Sequence, residues 1–214
     1  MLHTIRVLAI AAAAALSADV AGRADDKGAE KPKADPPGTP LEITLTGKKM
    51  TFPLDTGGMT PADFKSKLDA AAKAKGRPPV LPPTVDLALE IKNTSDKPVT
   101  VWVAGDPVVV ELTLKGKGVV EMTPPLAFTQ EFRIPRPVEV APGKTVSIPV
   151  KNLNSGFRNA SKFSYWTEPG EYELVAKLKT GMSPPPKDAK DAGEGFGVVT
   201  VTSAPLKVMV EGKK

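Results

Sequence analysis

Side chains that commonly act as nucleophiles, general bases or transition-metal ligands are scarce in this chain of 214 residues. The chain contains no cysteine, and its single histidine is His3. His3 lies within the first 24 residues, which have the pattern of a secretory signal peptide, so the exported chain has neither imidazole nor thiol. This composition excludes serine and cysteine nucleophile systems that need histidine, and zinc sites that use imidazole or thiolate.

The sequence Asp55-Thr56-Gly57 follows an apolar segment and resembles the motif that activates the attacking water in aspartic proteases. Those enzymes need two such aspartates that share one proton. The chain contains a single Asp-Thr-Gly and continues into a predicted helix, where the protease pattern requires another strand. We therefore interpret the segment as a glycine-rich turn and keep a carboxylate-based hydrolase using Asp55 as an alternative.

A second group of carboxylates, Asp188, Asp191 and Glu194, lies in a long loop predicted over residues 180–195. Their spacing of three does not match the alternating ligand pattern of a calcium loop. We therefore predict no metal site, no cofactor and no enzymatic activity.

An aromatic stretch between residues 151 and 169 is the best candidate for a binding surface. It reads as one long connection, and loops above about 12 to 15 residues are uncommon unless they are functional or disordered. The aromatic rings could instead cap the core, through Phe157, Phe163 and Trp166. If strands alternate in direction, the turn at residues 105–106 lies at the same pole. The candidate binding residues are then Arg158, Tyr165, Trp166 and Asp106.

The strands that must position these residues are clearest between Val85 and Val103. Apolar side chains occupy every second position from Val85 to Ile91, a run of turn formers follows, and the alternation resumes at Val99 with Trp102 on the opposite face. Similar segments recur among 23 prolines and 18 glycines. The pattern predicts an all-β, antiparallel β-sandwich of seven to nine strands.

A small hairpin and one helix are predicted to precede the sandwich. Residues 41–54 alternate on both sides of a Gly47-Lys48 turn, which indicates the hairpin. Thr60 has the features of a helix N-cap and is followed by Pro61 at the first helical position. A helix with so short an apolar face needs packing partners, so we expect it to lie against one edge or end of the sandwich.

The segment Pro169-Gly170-Glu171-Tyr172 resembles the tyrosine corner of immunoglobulin-like domains, with Leu174 standing where antibody-type domains have their second cysteine. Residues 85–180 also resemble the bacterial intracellular proteinase inhibitor domain, through Leu89 to Ser95, Ala141 to Lys144 and the same corner. The resemblance implies an immunoglobulin-like fold, and it makes proteinase inhibition an alternative function.

The N-terminal residues predict export. A basic start is followed by ten apolar residues, Val7 to Leu16, and then by small residues, which is the signal-peptide pattern and is too short for a membrane span. Removal of residues 1–24 leaves 27 basic and 23 acidic residues, a net charge of +4 without a basic stripe, so we expect no nucleic-acid partner. The predicted organisation is a signal peptide (1–24), a disordered tether (25–40), the accessory hairpin and helix (41–83) and the sandwich (84–214).

The sequence thus predicts a secreted or periplasmic, non-catalytic module with a binding or structural role in the cell envelope. Its partner would be an envelope protein or a glycan.

Overall fold

A computed structural model describes residues 38–123, 133–157, 161–187 and 195–212. The predicted signal peptide and almost all of the predicted tether lie outside these ranges. The described residues form an immunoglobulin-like antiparallel β-sandwich with one helix, which confirms the predicted fold class.

The described elements are the helix α1 (Pro61–Ala74) and thirteen strands: β1 (Leu41–Gly47), β2 (Thr51–Pro53), β3 (Thr84–Asn93), β4 (Val99–Ala104), β5 (Val109–Gly116), β6 (Val119–Met122), β7 (Arg136–Val140), β8 (Thr145–Asn152), β9 (Asn154–Ser155), β10 (Lys162–Trp166), β11 (Gly170–Ser183), β12 (Gly197–Thr202) and β13 (Leu206–Glu211).

The first layer of the sandwich is the sheet β1-β3-β8. β1 pairs antiparallel with β3 from Leu41 opposite Asn93 to Gly47 opposite Leu87, and β2 pairs parallel with β13 in the other layer. The predicted hairpin of residues 41–54 is therefore wrong, because its two strands belong to different sheets. Alternation along β1 shows which face is buried, but it does not show which strand is the hydrogen-bonded neighbour.

The second layer is built on β11, the longest strand. One edge of β11 pairs with β13 and then with β12, and Ser203 continues this edge by donating from its N–H to the Ala176 carbonyl at 2.8 Å and accepting from the Ala176 N–H at 3.0 Å. Residues 203–205 thus form the break between β12 and β13. Side chains from both layers, among them Ile43, Leu89 and Leu178, share one core.

The other edge of β11 pairs with β5 over residues 172–179 and with β4 at residues 182–183. Both β4 and β5 run antiparallel to β11. The chain therefore does not reverse between β4 and β5, and residues 105–108 form an excursion within one continuous edge. The predicted position of Asp106 at a pole of the sandwich is wrong for this reason. Turn-forming residues mark a break in a strand, whereas the direction taken after the break is set by packing.

Asn93 and Trp166 lie near opposite ends of β11. The Asn93 side chain donates to the Val140 carbonyl at 2.9 Å, near the start of β4 and the far end of β11. Trp166 lies with its ring centroid 6.0 Å from that of Tyr172, near the start of β11. Tyr172 and Ser183 are eleven residue steps apart along the extended strand, which corresponds to roughly 35 Å.

The tyrosine corner is also confirmed. The Tyr172 hydroxyl oxygen lies 2.7 Å from the Glu168 carbonyl, four residues upstream, and 2.7 Å from the Lys117 carbonyl. Its single proton can be donated to only one of them at a time. The ring packs against Gly116, where an added Cβ would come within 2.3 Å of it. The corner thereby joins the β5–β6 turn to the start of β11.

A third, small sheet carries the helix. Its strand order is β6-β10-β9, and α1 covers its outer face through Phe64 and Leu68, which are both buried. The helix begins as predicted, since the Thr60 hydroxyl accepts a hydrogen bond from the Asp63 N–H at 3.2 Å. The long connection predicted over residues 151–169 is wrong, because the chain there forms the end of β8 and the strands β9 and β10.

Candidate binding surface

The predicted binding residues Tyr165 and Trp166 lie in the interior, with 0% and 2% of their surface exposed. Consecutive residues of a strand point to opposite faces, so the two rings enter different cores. Trp166 stacks on Phe52 with ring centroids 5.6 Å apart, whereas Tyr165 packs edge-on against Phe64 of the helix at 6.3 Å. These contacts agree with the core-capping interpretation of the aromatic stretch and correct its description as a surface loop.

Tyr165 also fixes the segment that follows the helix. Its hydroxyl donates to the Val80 carbonyl at 3.1 Å, and burial raises the pKa of Tyr165 well above its usual range. Arg158, the third predicted residue, lies outside the described residues.

Asp106, the fourth predicted residue, is exposed and forms an ion pair with Arg133, in which Oδ1 lies 2.8 Å from Nη1. Arg133 also donates to the Val108 carbonyl, and its guanidinium carbon lies 4.1 Å from the centroid of the Phe157 ring. An added Cβ at Gly105 would lie 2.2 Å from the Ile134 carbonyl oxygen. The ion pair with Asp106 therefore fixes the chain around Arg133 next to the excursion between β4 and β5. The Asp106 carboxylate already has a partner in Arg133.

A pair of partly exposed aromatic rings lies on the outer face of the second layer. Trp102 points outward from β4, because Val101 and Val103 on either side of it are buried. Its ring lies over Gly181 of β11, where an added Cβ would come within 2.9 Å of the indole, and 4.9 Å from the Phe196 ring between centroids. Within the described ranges, the indole N–H has no hydrogen-bond acceptor.

The rings form the centre of a patch with an apolar middle and a polar border, which we call the Trp102 patch. Pro137 stands opposite Trp102 on β7, and Val198 stands opposite Gly181 on β12. The border is polar or charged and comprises Thr100, Glu139, Lys179 and Thr200. An apolar centre inside a polar rim is the usual anatomy of a protein interface. The sequence signal for it was the alternation that places a tryptophan on the otherwise polar face of β4.

A cleft of about 280 Å³ opens at the side of the sandwich, between β8, β5 and β9. Its apolar lining is Val110, Leu112 and Val150, and Asn152 and Asn154 lie on its polar side. The volume lies just below the range that is usual for small-molecule sites.

The alternatives based on carboxylates gain no support from the geometry. Asp55 is exposed and accepts a hydrogen bond from the Gly57 N–H at 3.0 Å, as in the predicted turn. Among the described residues, no group of three or more acidic, histidine or cysteine side chains is arranged to hold a metal ion. Asp188, Asp191 and Glu194 lie outside the described ranges.

No family model and no curated protein matches the chain. One solved structure that matches is the PapD-like (ASH) domain 7 of human CEP192, which is 13% identical; the match covers 88% of this chain and 94% of that domain, at a TM-score of 0.23. Similarity at this level carries no argument, so the immunoglobulin-like assignment depends on the strand pairing and the tyrosine corner. The resemblance to the proteinase inhibitor domain gains no support, and inhibition stays a prediction.

The part of the chain that the structure describes contains no helix long and apolar enough to cross a membrane.

Proposed function

We propose that this protein is an exported, non-catalytic binding module of the cell envelope, secreted or periplasmic, that binds an envelope protein or glycan through the Trp102 patch. The single observation that supports the binding surface is the partly exposed pair of Trp102 and Phe196, with an indole N–H that has no acceptor within the described ranges. The signal-peptide pattern of residues 1–24 supports export.

Physical reasons favour this patch over the other surfaces described. Tryptophan is enriched among residues that dominate binding energy, because it combines a large apolar surface with one hydrogen-bond donor and few rotatable bonds. Gly181 lets the indole lie flat on the sheet, so little side-chain freedom remains to be lost on binding. By contrast, Asp106 is engaged in an ion pair and Tyr165 is buried.

The test compares Trp102→Ala with Thr113→Ala, which removes an exposed side chain from the outer face of β5 in the same layer. Both proteins and the wild type are measured against an array of envelope glycans and against purified envelope proteins. We expect Trp102→Ala to weaken binding by about 30-fold or more, the effect of losing a central interface tryptophan, and Thr113→Ala to bind as the wild type does.

A photo-crosslinking residue at Val198 gives an independent test that does not remove the ring. It should capture the same partner, whereas the same residue at Thr113 should not. Equal binding by wild type and Trp102→Ala, with equal crosslinking at both positions, would refute the assignment of this surface.

A further inference from the structure

The end of α1 and the segment that follows it carry unbalanced positive charge. Lys73, Lys75 and Arg77 are exposed, and residues 70–85 contain no carboxylate. None of these three side chains has an ion pair or hydrogen bond with a described residue. Lys65, about two turns earlier on the helix, is by contrast paired with Asp69 at 2.9 Å. Lys73 lies in the last turn of α1, where the partial negative charge of the helix C-terminus offsets part of this positive charge.

A largely exposed leucine follows these cations in the chain. Leu81 has 81% of its surface exposed, whereas its neighbour Val80 packs against the buried cluster around Phe64 and Leu68. The Val80 carbonyl accepts the hydrogen bond from Tyr165, and Pro82 is buried. Leu81 is consequently held outward by anchored residues on both sides of it.

We infer that this surface, which we call the basic end of α1, docks on a membrane containing anionic phospholipids. Exposed cationic side chains in the same short segment as one projecting apolar residue match the chemistry of such a membrane, since headgroup phosphates attract the cations and the interface accepts the leucine. Each lysine or arginine near an anionic surface strengthens binding about fivefold, so three together contribute about 100-fold. The inference does not depend on the Trp102 patch.

The experiment uses the chain from Asp25 onward, which keeps every described strand and the helix. Sedimentation with vesicles of phosphatidylcholine containing 30 mol% phosphatidylglycerol is compared with sedimentation with pure phosphatidylcholine. The test variant replaces Lys73, Lys75 and Arg77 by glutamine. The control variant replaces Lys92, Lys115 and Lys144, which are exposed elsewhere on the sandwich, by glutamine and so has the same net charge.

The expected result is binding to the anionic vesicles that is abolished in high salt. The test variant should bind about 100-fold more weakly and Leu81→Ser about fivefold more weakly, with the control variant within about twofold of the wild type. Leu81→Ser changes an exposed side chain, so its loss of binding does not arise from unfolding.

Three outcomes would overturn the inference. The first is no difference between anionic and neutral vesicles, and the second is an equal loss in test and control variants, which would indicate a response to net charge alone. The third is binding of the wild type to soluble polyphosphate but not to vesicles, which would identify an anionic polymer as the partner.

Discussion

The two tryptophans of this chain occupy opposite environments within one sandwich. Trp166 of β10 is 2% exposed, stacks on Phe52 and packs at a tilt beside Tyr172, whereas Trp102 of β4 lies on the outer face and covers Gly181. The first ring fills the space where the small sheet joins the main layers. The second ring is partly exposed, and its indole N–H has no acceptor within the described ranges. The same residue type thus stabilises the fold at one position and is available to a partner at the other.

The largest expected effect concerns folding stability. Trp166→Ala should lower the free energy of unfolding by about 3 to 5 kcal/mol, because it leaves a large cavity among buried rings. Trp102→Ala should lower it by about 1 kcal/mol or less, as is usual for a partly exposed side chain. Urea unfolding followed by circular dichroism measures both values. Similar losses for the two variants would contradict the assignment of one ring to the core and the other to the surface.

The sequence predicted individual elements well where the determining signals are local. Thr60 and Pro61 specify the start of the helix, and the Pro169-Gly170 corner places Tyr172. Partners were not predictable in the same way, since the alternation in β1 does not distinguish β2 from β3 as its neighbour.

β10 was missed for a different reason. Phe163 and Tyr165 face the helix cluster while Ser164 and Trp166 face the other side, so both faces are covered and polar residues do not alternate with apolar ones. A strand buried on both sides lacks the alternation of apolar and polar residues on which the prediction of strands depended. The alternation in β4 correctly predicted that Trp102 lies on the face opposite the core. The sequence did not predict that Phe196 lies beside the indole, because this contact depends on the tertiary fold.

A second expected effect concerns alkaline pH and the tyrosines that anchor the two cores. Burial is the main cause that raises the pKa of both Tyr165 and Tyr172 above the ordinary value of 10.0. Above pH 10 an unfolded tyrosine loses its proton while the native one keeps it, so the native state loses stability as the pH rises. Each tyrosine contributes a slope of up to about 1.4 kcal/mol per pH unit, and the contribution is fully present below pH 10.

Tyr165→Phe should therefore flatten the decline in stability above pH 10, at a cost near neutral pH of about 1 kcal/mol for the hydrogen bond to Val80. Urea unfolding between pH 8 and pH 11 measures the slope. Trp102→Ala removes no titrating group and should keep the wild-type slope. An unchanged slope in Tyr165→Phe would mean that the hydroxyl is accessible to water in the native state.

A smaller effect is expected at the outer face. Gly181→Ala should destabilise the protein by about 1 kcal/mol, because the new methyl group displaces the Trp102 ring. In the Trp102→Ala background the same change should be neutral or stabilising, since alanine is favoured over glycine in an unobstructed strand. A double-mutant cycle measures this coupling, and additive effects would show that the indole does not lie on the glycine.

The last pair of variants reports the environments of the two rings by fluorescence and does not depend on a change in stability. Trp166→Phe leaves Trp102 as the only tryptophan, whose emission should be typical of an indole in contact with water and should be quenched by acrylamide. Trp102→Phe leaves Trp166, whose emission should lie at shorter wavelength and resist quenching, because the ring is enclosed by Phe52 and Tyr172. Addition of a partner that covers the Trp102 patch should protect the first variant from acrylamide and leave the second unchanged. Protection of Trp166 instead would indicate that the partner binds near β10. Only a partner near that strand, or a change in how far the core opens, could alter the access of acrylamide to Trp166.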